Sequence, residues 1–394
     1  VDDGPVLVAG AGPVGLATAL ALRARDIPVV LLEADSQDRV RPGSRALYVH
    51  HDSLKLLESL RDGVGKRLAE HGIIWNVRRT TYRGREVYAR TYPPYDKKTG
   101  LPPFTSLRQA DTERILLHAC VQAGVTVQWD SRVTSVAPRA TDVTVSTADG
   151  TSWTASHVVA ADGARSVIRM EAGIGLQGST SPGFHVVIDI NGEEQCLERV
   201  FHYRHPAMAG RHVLTVPYTG GFQVDLQCKA DDRPDIMASP EAVREWLPGV
   251  IGAVDEQRIT WISVYKFRQL IADSFADETG RVLLVGEAAH LFPPFGARGM
   301  NSGFADADAA AAAIAYTRRE LATSAISEFS KRRRTAAMSN SAAAGAALKH
   351  MRPSGSVARG RQLTAALLAP VVPRFGEWLE RAPYGPVSTM VTGY

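Results

Sequence analysis

The stretch VLVAGAGPVGLATALALRARDIPVVLLE, residues 6–33, decides the fold. An apolar run ends at a glycine-rich turn, a helical run follows, and a β-branched run closes on an acid, Glu33. The three glycines of GAGPVG have separate physical duties. Gly10 permits the tight turn, Gly12 lets a pyrophosphate approach bare backbone, and Gly15 lets the helix pack closely on the strand. The helix N-terminus adds free N–H groups and a partial positive charge for the phosphates. Glu33, 18 residues after Gly15, stands where it can accept hydrogen bonds from an adenosine ribose. Alone, GxGxxG also marks a glycine-rich turn in any α/β protein. Here the strand before it, the helix after it and the terminal acid supply the context for a bound dinucleotide.

Working outward, residues 53–70 are expected to be helical, with Leu54, Leu57 and Leu60 on one face. Residues 73–92 alternate like strands around Arg83-Gly84-Arg85, a hairpin signal. A helix is expected at about 112–123, then short strands at 126–128, 132–137, 143–147 and 157–161, with Asp149-Gly150 as the turn before the last. The middle, 173–271, is strand-rich (FHVVIDI, RVFHYR, RHVLTVPY, FQVDLQC, ITWISVYKF), with one helix at about 240–247. Residues 281–286 form another buried strand, and the alanine-rich remainder is helical with a break at Pro353-Ser354-Gly355. The N-terminal unit and the strand at 281–286 can share one sheet only if the chain leaves and returns. The expected architecture is α/β: a discontinuous Rossmann-like domain of residues 1–172 and 272–394, ending in a helical C-terminal segment, with an inserted, mainly antiparallel β-sheet substrate domain at 173–271.

A length of 394 residues suits about two domains, and 22% charged and 45% hydrophobic residues are ordinary globular values. The net charge of +4 predicts neither nucleic-acid nor membrane binding. The one dense basic cluster, Lys331 to Arg334, lies in a helix-like stretch near Glu328 and reads as a solvated helix face. Cys120, Cys196 and Cys228 are far apart with no CxxC, so neither a metal nor a disulfide framework is expected, and a reducing cytoplasm fits. No signal peptide precedes the first strand, and no apolar run approaches the ~20 residues needed to span a bilayer.

Two further segments narrow the reading. VVAADGARSVIR, residues 158–169, sets Asp162, Gly163, Arg165 and Ser166 at a strand end, where Asp-Gly alone would mean only a turn. RVLLVGEAAHLFPPFGARGMNSGFADA, residues 281–307, runs from a strand through Glu287 and a proline-glycine loop to Gly299, Met300 and Asn301 at the head of a long helix. In this order the three segments resemble the FAD-dependent aromatic hydroxylases, the group A flavoprotein monooxygenases related to para-hydroxybenzoate hydroxylase. Within them the chain is most similar to the branch acting on phenols, phenylpropionates and polyketides. SRALYVHHDSLKLLESL, residues 44–60, resembles that branch's arginine-containing segment, and LRQADTERIL, residues 107–116, resembles its flavin-contacting glutamine followed by an acid four residues on.

The resemblance implies a Rossmann-like FAD-binding domain and assigns roles. Gly10, Gly12, Val14 and Gly15 would cradle the pyrophosphate, and Glu33 would bind the adenosine ribose. Arg45 and Gln109 would contact the flavin–ribityl–pyrophosphate region, and Val133 would approach the adenine by backbone. Asp162 would support the pyrophosphate side and help NAD(P)H engage; Glu287 would bind the ribityl chain; Gly299, Met300 and Asn301 would meet the pyrimidine edge of the flavin. Two departures stand out. The family's usual Asp after the strand glycine is Glu287, one methylene longer, and its usual Gly-Gln is Ala297-Arg298. Ala297 costs backbone freedom beside the flavin, and Arg298 adds a cation either near the flavin or in solvent.

The implied reaction is hydroxylation of a phenolic or polycyclic aromatic molecule, often of secondary metabolism such as antibiotic biosynthesis, with NAD(P)H and O2 through a flavin C4a-hydroperoxide. A helix beginning near Gly299 would aim N–H groups at the charge on reduced flavin, and a dry pocket would protect the oxygenated cofactor. The oxygen chemistry is the cofactor's, so no nucleophile triad or metal cluster is required. In the family NAD(P)H reduces the flavin without a Rossmann unit of its own. Arg45, His50, His185, His202, Tyr203 and Tyr218 are candidates to activate a phenol, with Arg45 and Tyr218 named as catalytic candidates, although none is singled out by spacing and a lone His or Tyr on a strand is more often packed or solvated. His290 is expected to shape its loop by a local hydrogen bond. Baeyer–Villiger insertion, antibiotic inactivation or dehydrogenation on the same fold, and a non-catalytic flavin- or partner-binding protein, remain alternatives. Halogenation is disfavoured because Trp261-Ile262 is isolated. The expected partners are a small aromatic substrate and O2, with no nucleic acid and no membrane; a homodimer is compatible. The branch often carries a thioredoxin-like C-terminal domain, and this chain stops at Tyr394.

Overall fold

The computed structural model describes residues 4–40, 47–93, 95–96, 100–192, 198–320, 324–353 and 355–386. Short, mostly β-branched runs, buried on both faces except at the edge strand Thr126–Gln128, make the first sheet, as parallel strands covered by helices must. Its order is Val282–Leu284, Val158–Ala160, Val6–Ala9, Val29–Leu32 and Thr126–Gln128, all parallel. The chain leaves after Val158–Ala160 and returns at Val282–Leu284, as expected. The three signature strands become immediate neighbours, so Gly10, Asp162 and Gly286 emerge together beyond their carboxyl ends, where open parallel sheets bind ligands.

The glycines are demanded by packing. A Cβ on Gly15 would lie 1.8 Å from the Gly10 carbonyl oxygen, and one on Gly10, at φ +99°, would lie 2.5 Å from the Ala161 oxygen. The first helix, Pro13–Arg23, can therefore press onto the strands only with bare backbone there. Val14 in turn fills the space over two more glycines: Cβ atoms on Gly286 and Gly303 would meet its methyls at 3.1 and 2.4 Å. The long helix Arg298–Glu320 packs along the first helix through small residues, and Arg25 and Asp308 pair across them at 2.7 Å.

The second, eight-stranded sheet has the order His290–Leu291, Ile259–Ala272, Leu176–Asn191, Gly221–Gln227, Val213–Tyr218, Glu198–Tyr203, Val77–Tyr82 and Arg85–Thr91. It is antiparallel except for the parallel pairing of Glu198–Tyr203 with Val77–Tyr82. It thus draws the 77–91 hairpin, turned at Arg83 (φ 51°) and Gly84 (φ 81°), into the strand-rich middle. A cluster of Tyr82, Phe201, Tyr203, Phe267, Phe295 and Leu379 packs the C-terminal helices onto this sheet. Tyr203 donates to Leu379 O at 2.7 Å and so fastens the helix Pro373–Arg381.

Three expectations need correction. The helix expected at 53–70 is two, His51–Leu60 and Val64–His71, because Arg61 is extended and Gly63 is left-handed at φ 84°. A strand, Ser152–Ala155, intervenes after the Asp149-Gly150 turn and pairs with Val143–Thr147. The basic run at 331–334 is not one solvated face. Arg333 is buried against Asp306, and Arg334 donates to Ala272 O. Among the described residues, no helix is long and apolar enough to cross a membrane, and no cluster of His, Cys, Asp and Glu could hold a metal ion.

Candidate functional site

Between the two sheets lies a cavity of about 1480 Å³. That exceeds the ~300–1,000 Å³ typical of a site for one small ligand, so there is room for a long dinucleotide and a second molecule. At one end its wall contains Gly10, Gly12, Val14, Glu33, Gln109, Val133, Asp162, Glu287, Gly299 and Met300. These are ten of the expected contacts, brought together from six separate stretches. Gly15 and Asn301 act behind that wall, and Arg45 lies outside the described residues.

Each wall group can be tested against a dinucleotide. A Cβ on Gly12 would meet nothing within 4 Å, so the backbone there is bare toward the cavity, unlike Gly10 and Gly15. The first helix begins at Gly12 with Pro13 in its first turn and no side-chain cap, leaving its N-terminal dipole for an anion. Gly299, at the head of the long helix, is equally open. Glu33 is 5% exposed, and its carboxylate accepts from Ala11 N at 2.5 Å and Asp35 N at 3.0 Å, with Arg39 3.2 Å away. It therefore braces the glycine turn as well as facing the cavity. Asp162 accepts from Ile168 N at 3.3 Å, while its Oδ1 is buried without a hydrogen-bond partner. Burial pushes this carboxyl above its usual range. Gln109 donates to Glu113, the acid four residues on, at 3.0 Å.

The third signature is held from behind. Asp306 accepts from Gly286 N at 3.1 Å, lies 2.7 Å from His290 Nε2 and pairs with Arg333 at 2.6 Å. Burial pushes this carboxyl up, but Arg333 and His290 outweigh it and hold it below the usual range. His290 thus has the loop-shaping role expected of it. Asn301 spends its side chain on protein: Nδ2 donates to Tyr48 O and Ala297 O, and Oδ1 accepts from His50 N. It staples the helix head to the strand Tyr48–His50 rather than presenting a polar group to the cavity. Arg298 does not point into solvent; it borders the cavity beside Gly299 and Met300. It is 4% exposed and donates to Asn340 Oδ1, Tyr384 O and Pro386 O, tying the proline-glycine loop to the C-terminal segment. Ala297, standing where the family has glycine, is left-handed at φ 52°, so the expected backbone cost is present.

The other end of the cavity is roofed by one face of the large sheet. Leu176–Asn191 contributes His185 and Val187, and Gly221–Gln227 contributes Gln223, Asp225 and Gln227. Leu214, Val216, Phe201 and Arg199 extend this face, and Arg78 and Arg90 reach it from the hairpin. His185 holds Asp225 through Nδ1 at 2.5 Å, and its Nε2 has no partner. His50 reaches the cavity from the side, 3.1 Å from the Gly296 carbonyl, and burial lowers its pKa to about 4. Of the remaining candidates, His202 engages Thr81 Oγ1, Tyr203 is fully buried, and Tyr218 is buried and donates to Ile190 O at 3.2 Å. Tyr218 does not line the cavity, and its hydroxyl is spent on Ile190 O.

A family model described as an FAD binding domain matches residues 3–344. The chain belongs to this FAD-binding family. It is 29% identical over 312 residues to the 3-(3-hydroxy-phenyl)propionate/3-hydroxycinnamic acid hydroxylase of Mycolicibacterium smegmatis, covering 77% of this chain and 53% of that protein. It is 32% identical over 323 residues to the 6-methylpretetramide 4-monooxygenase of Streptomyces rimosus, covering 77% and 54%. The chain thus spans about half the length of these two curated relatives. Among solved structures, p-nitrophenol 4-monooxygenase from Pseudomonas putida DLL-E4 is similar at TM-score 0.78 and 25% identity over 98% of this chain and 99% of that one. FAD is the cofactor of the fold, and the cradle around Gly12 fits it. Arg39, Asp306, Arg78 and Arg199 were missed by sequence reasoning. Arg39, six residues after Glu33, and Asp306, inside the 281–307 segment, lay close enough to a motif to be found.

Proposed function

We propose that this FAD-binding chain is a monooxygenase that hydroxylates a phenolic or polycyclic aromatic substrate with NAD(P)H and O2. The observation that carries the proposal is the single cavity, continuous from a bare-backbone nucleotide cradle to a roof bearing Phe201, Val187, Leu214 and Val216. The names of the relatives, all hydroxylases or monooxygenases of aromatic or polyketide compounds, support the same reading. Bound flavin supplies the electron and oxygen chemistry. The chain's own residues do the rest. Gly10, Gly12 and Gly15 would admit the pyrophosphate, with Asp162 beside it; Glu33 would hold the ribose and Val133 the adenine; Gln109 and Glu287 would meet the ribityl stretch. The head of the long helix at Gly299 and Met300 would set its N-terminal dipole against the flavin edge, favouring negative charge there. The apolar part of the roof, Val187, Phe201, Leu214 and Val216, would help exclude water during turnover. His50 stays neutral near pH 7 and would serve as a hydrogen-bonding wall, not as a cation. The free, buried thiols Cys120 and Cys228 suit a reducing cytoplasm.

The test is a screen of phenols and polycyclic phenols against the FAD-loaded protein. A true substrate accelerates both NAD(P)H loss and oxygen uptake with little peroxide. NAD(P)H loss that no aromatic compound accelerates would leave a flavin-binding protein without this activity.

A further inference from the structure

The net charge of +4 conceals an uneven distribution. Between Glu328 and Glu377 the sequence has nine Lys and Arg and no Asp or Glu. The helix Ser356–Leu368 falls in that stretch, packed by one face on the cluster that joins the C-terminal helices to the large sheet. Its inward residues are small or polar: Gln362, Ala365 and Ala366 are buried, as is Ala369 just after them, and Gln362 donates to His350 O at 2.6 Å. Its large apolar residues face outward. Val357 is 84% exposed, Leu367 70% and Val371, in the turn that follows, 75%, while Leu363 and Leu368 are each 37% exposed. Val357, Gly360, Thr364, Leu367 and Val371 recur three or four positions apart, so at about 3.6 residues per turn they form one continuous stripe.

Folding alone would turn such a helix the other way, because burying Leu and Val removes more apolar surface from water than burying Ala. Single exposed apolar residues are ordinary, whereas a contiguous stripe marks a docking face. The charges around it name the occupant. Arg359 lies beyond Leu363 on one flank of the stripe, Arg361 beyond Leu368 on the other, and Arg374 follows the turn. Arg359 donates to Gly355 O at 3.1 Å, Arg361 lies over the Trp378 ring at 4.8 Å, and Arg374 over the Phe375 ring at 5.2 Å. None of the three has a carboxylate within 4.0 Å among the described residues. The nearest acids along the chain, Glu377 and Glu380, turn instead to Arg90 and Arg78. A second copy laid on this stripe across a two-fold axis would bring arginines to arginines, with no acid of the stretch to answer them. An anionic bilayer surface answers both features. Its acyl boundary takes the Leu and Val side chains, and the flanking arginines keep their stems on apolar surface and their heads among the phosphates.

We propose that the helix Ser356–Leu368, with the turn through Val371, docks this protein on membranes that carry anionic lipids. Docking is peripheral, since among the described residues no helix is long and apolar enough to cross a membrane. The inference is independent of the reaction proposed above. FAD-loaded protein is floated with vesicles of phosphatidylcholine alone and with vesicles of equal parts phosphatidylcholine and phosphatidylglycerol. Binding to the mixed vesicles is expected to be about ten-fold or more tighter, and to fall as salt is raised. The double variant Leu367→Gln, Val371→Gln changes only exposed positions, so it should keep its FAD and its melting temperature yet bind mixed vesicles about ten-fold or more weakly. The double variant Arg359→Gln, Arg374→Gln should lose most of the preference for anionic over neutral vesicles. The comparison of the two vesicle types with the native protein stands even if a variant misfolds. No binding to either vesicle, equal binding to both, or binding that Leu367→Gln, Val371→Gln leaves unchanged would overturn the proposal. So would a native dimer that this pair of changes converts to monomers while vesicles capture neither form, which would give the face to a second copy.

Discussion

The two ends of the cavity are built by opposite means. The cradle is made of backbone: Gly10, Gly12 and Gly299 offer no side chain, and three strands of one parallel sheet deliver their ends to the same place. The roof is made of side chains, collected one to three at a time from six strands of the other sheet by cross-strand register. A backbone site needs particular residues at fixed spacing along the chain. A register-built site needs only that each strand alternate, so its chemistry can change without disturbing the fold. The cradle therefore speaks for the cofactor and the roof for the substrate.

The largest expected effect tests the rigidity of the cradle. Gly15→Ala puts a Cβ 1.8 Å from the Gly10 oxygen, with no flexible side chain to yield. It should cost more than about 4 kcal/mol, the range of severe core defects, and leave little folded protein by circular dichroism. Val216→Ala, half-buried in the roof, should cost about 1 kcal/mol and leave FAD bound. If the two melt alike, the contrast between the ends fails.

A second experiment asks how far the cradle depends on side chains behind it. Asp306→Asn leaves Arg333 and His290 buried beside a neutral amide. Breaking a buried pair in this way costs about 3–5 kcal/mol, read as a lowered midpoint in urea. It should also weaken FAD binding, because the Gly286 N–H loses its acceptor charge. A near-native midpoint would show the triad to be dispensable.

Acid should separate the two ends more gently. Burial lowers His50, His202 and His350 to about 4 and His212 to about 3, from an ordinary 6.5. Their folded-state values lie below the unfolded one, so the unfolded chain takes up protons first as the pH falls. The stability they permit is whole above about 6.5 and is lost progressively as the pH falls from 6.5 through about 4. Three of them, His202, His212 and His350, border the roof or the helices packed on it, against one comparably lowered group, His157 at about 3, beside Val158–Ala160 in the first sheet. Amide exchange at pH 4.5 should therefore show the roof strands losing protection before Val6–Ala9 and Val158–Ala160. Uniform loss would mean that the two sheets open as one unit.

The smallest effect concerns Ala297. Glycine at this left-handed position relieves strain of about 1 kcal/mol, partly offset by the greater freedom of glycine in the unfolded chain. Ala297→Gly should raise the melting temperature by at most a few degrees. A lowered value would mean that the alanine methyl is packed usefully.

What could be read from the sequence follows the same division. Gly10, Gly12, Glu33, Asp162 and Gly299 were legible because each sits in a contiguous motif whose spacing reflects one backbone path. The return of the chain into the first sheet was legible from the second strand signature at 281–286. The helix break at Gly63 was not, since one glycine in an amphipathic run is compatible with either outcome. Arg333 was misread, and Arg298 left between two positions, because charge in a sequence says nothing of burial, and their partners Asp306 and Tyr384 lie far along the chain. Arg199 and Arg78, 121 positions apart, become neighbours only through a parallel pairing that no local pattern announces.

The most direct measurement is a titration of flavin-free protein with FAD, followed by flavin fluorescence, for the native chain and for Gly12→Ala. Since that methyl would touch no protein atom within 4 Å, the variant should melt within about 0.5 kcal/mol of the native protein, as surface changes do. The native chain should saturate at one FAD per chain, with affinity falling ten-fold or more in Gly12→Ala. Equal affinity in the two proteins would contradict the claim that FAD lies against bare backbone at this turn.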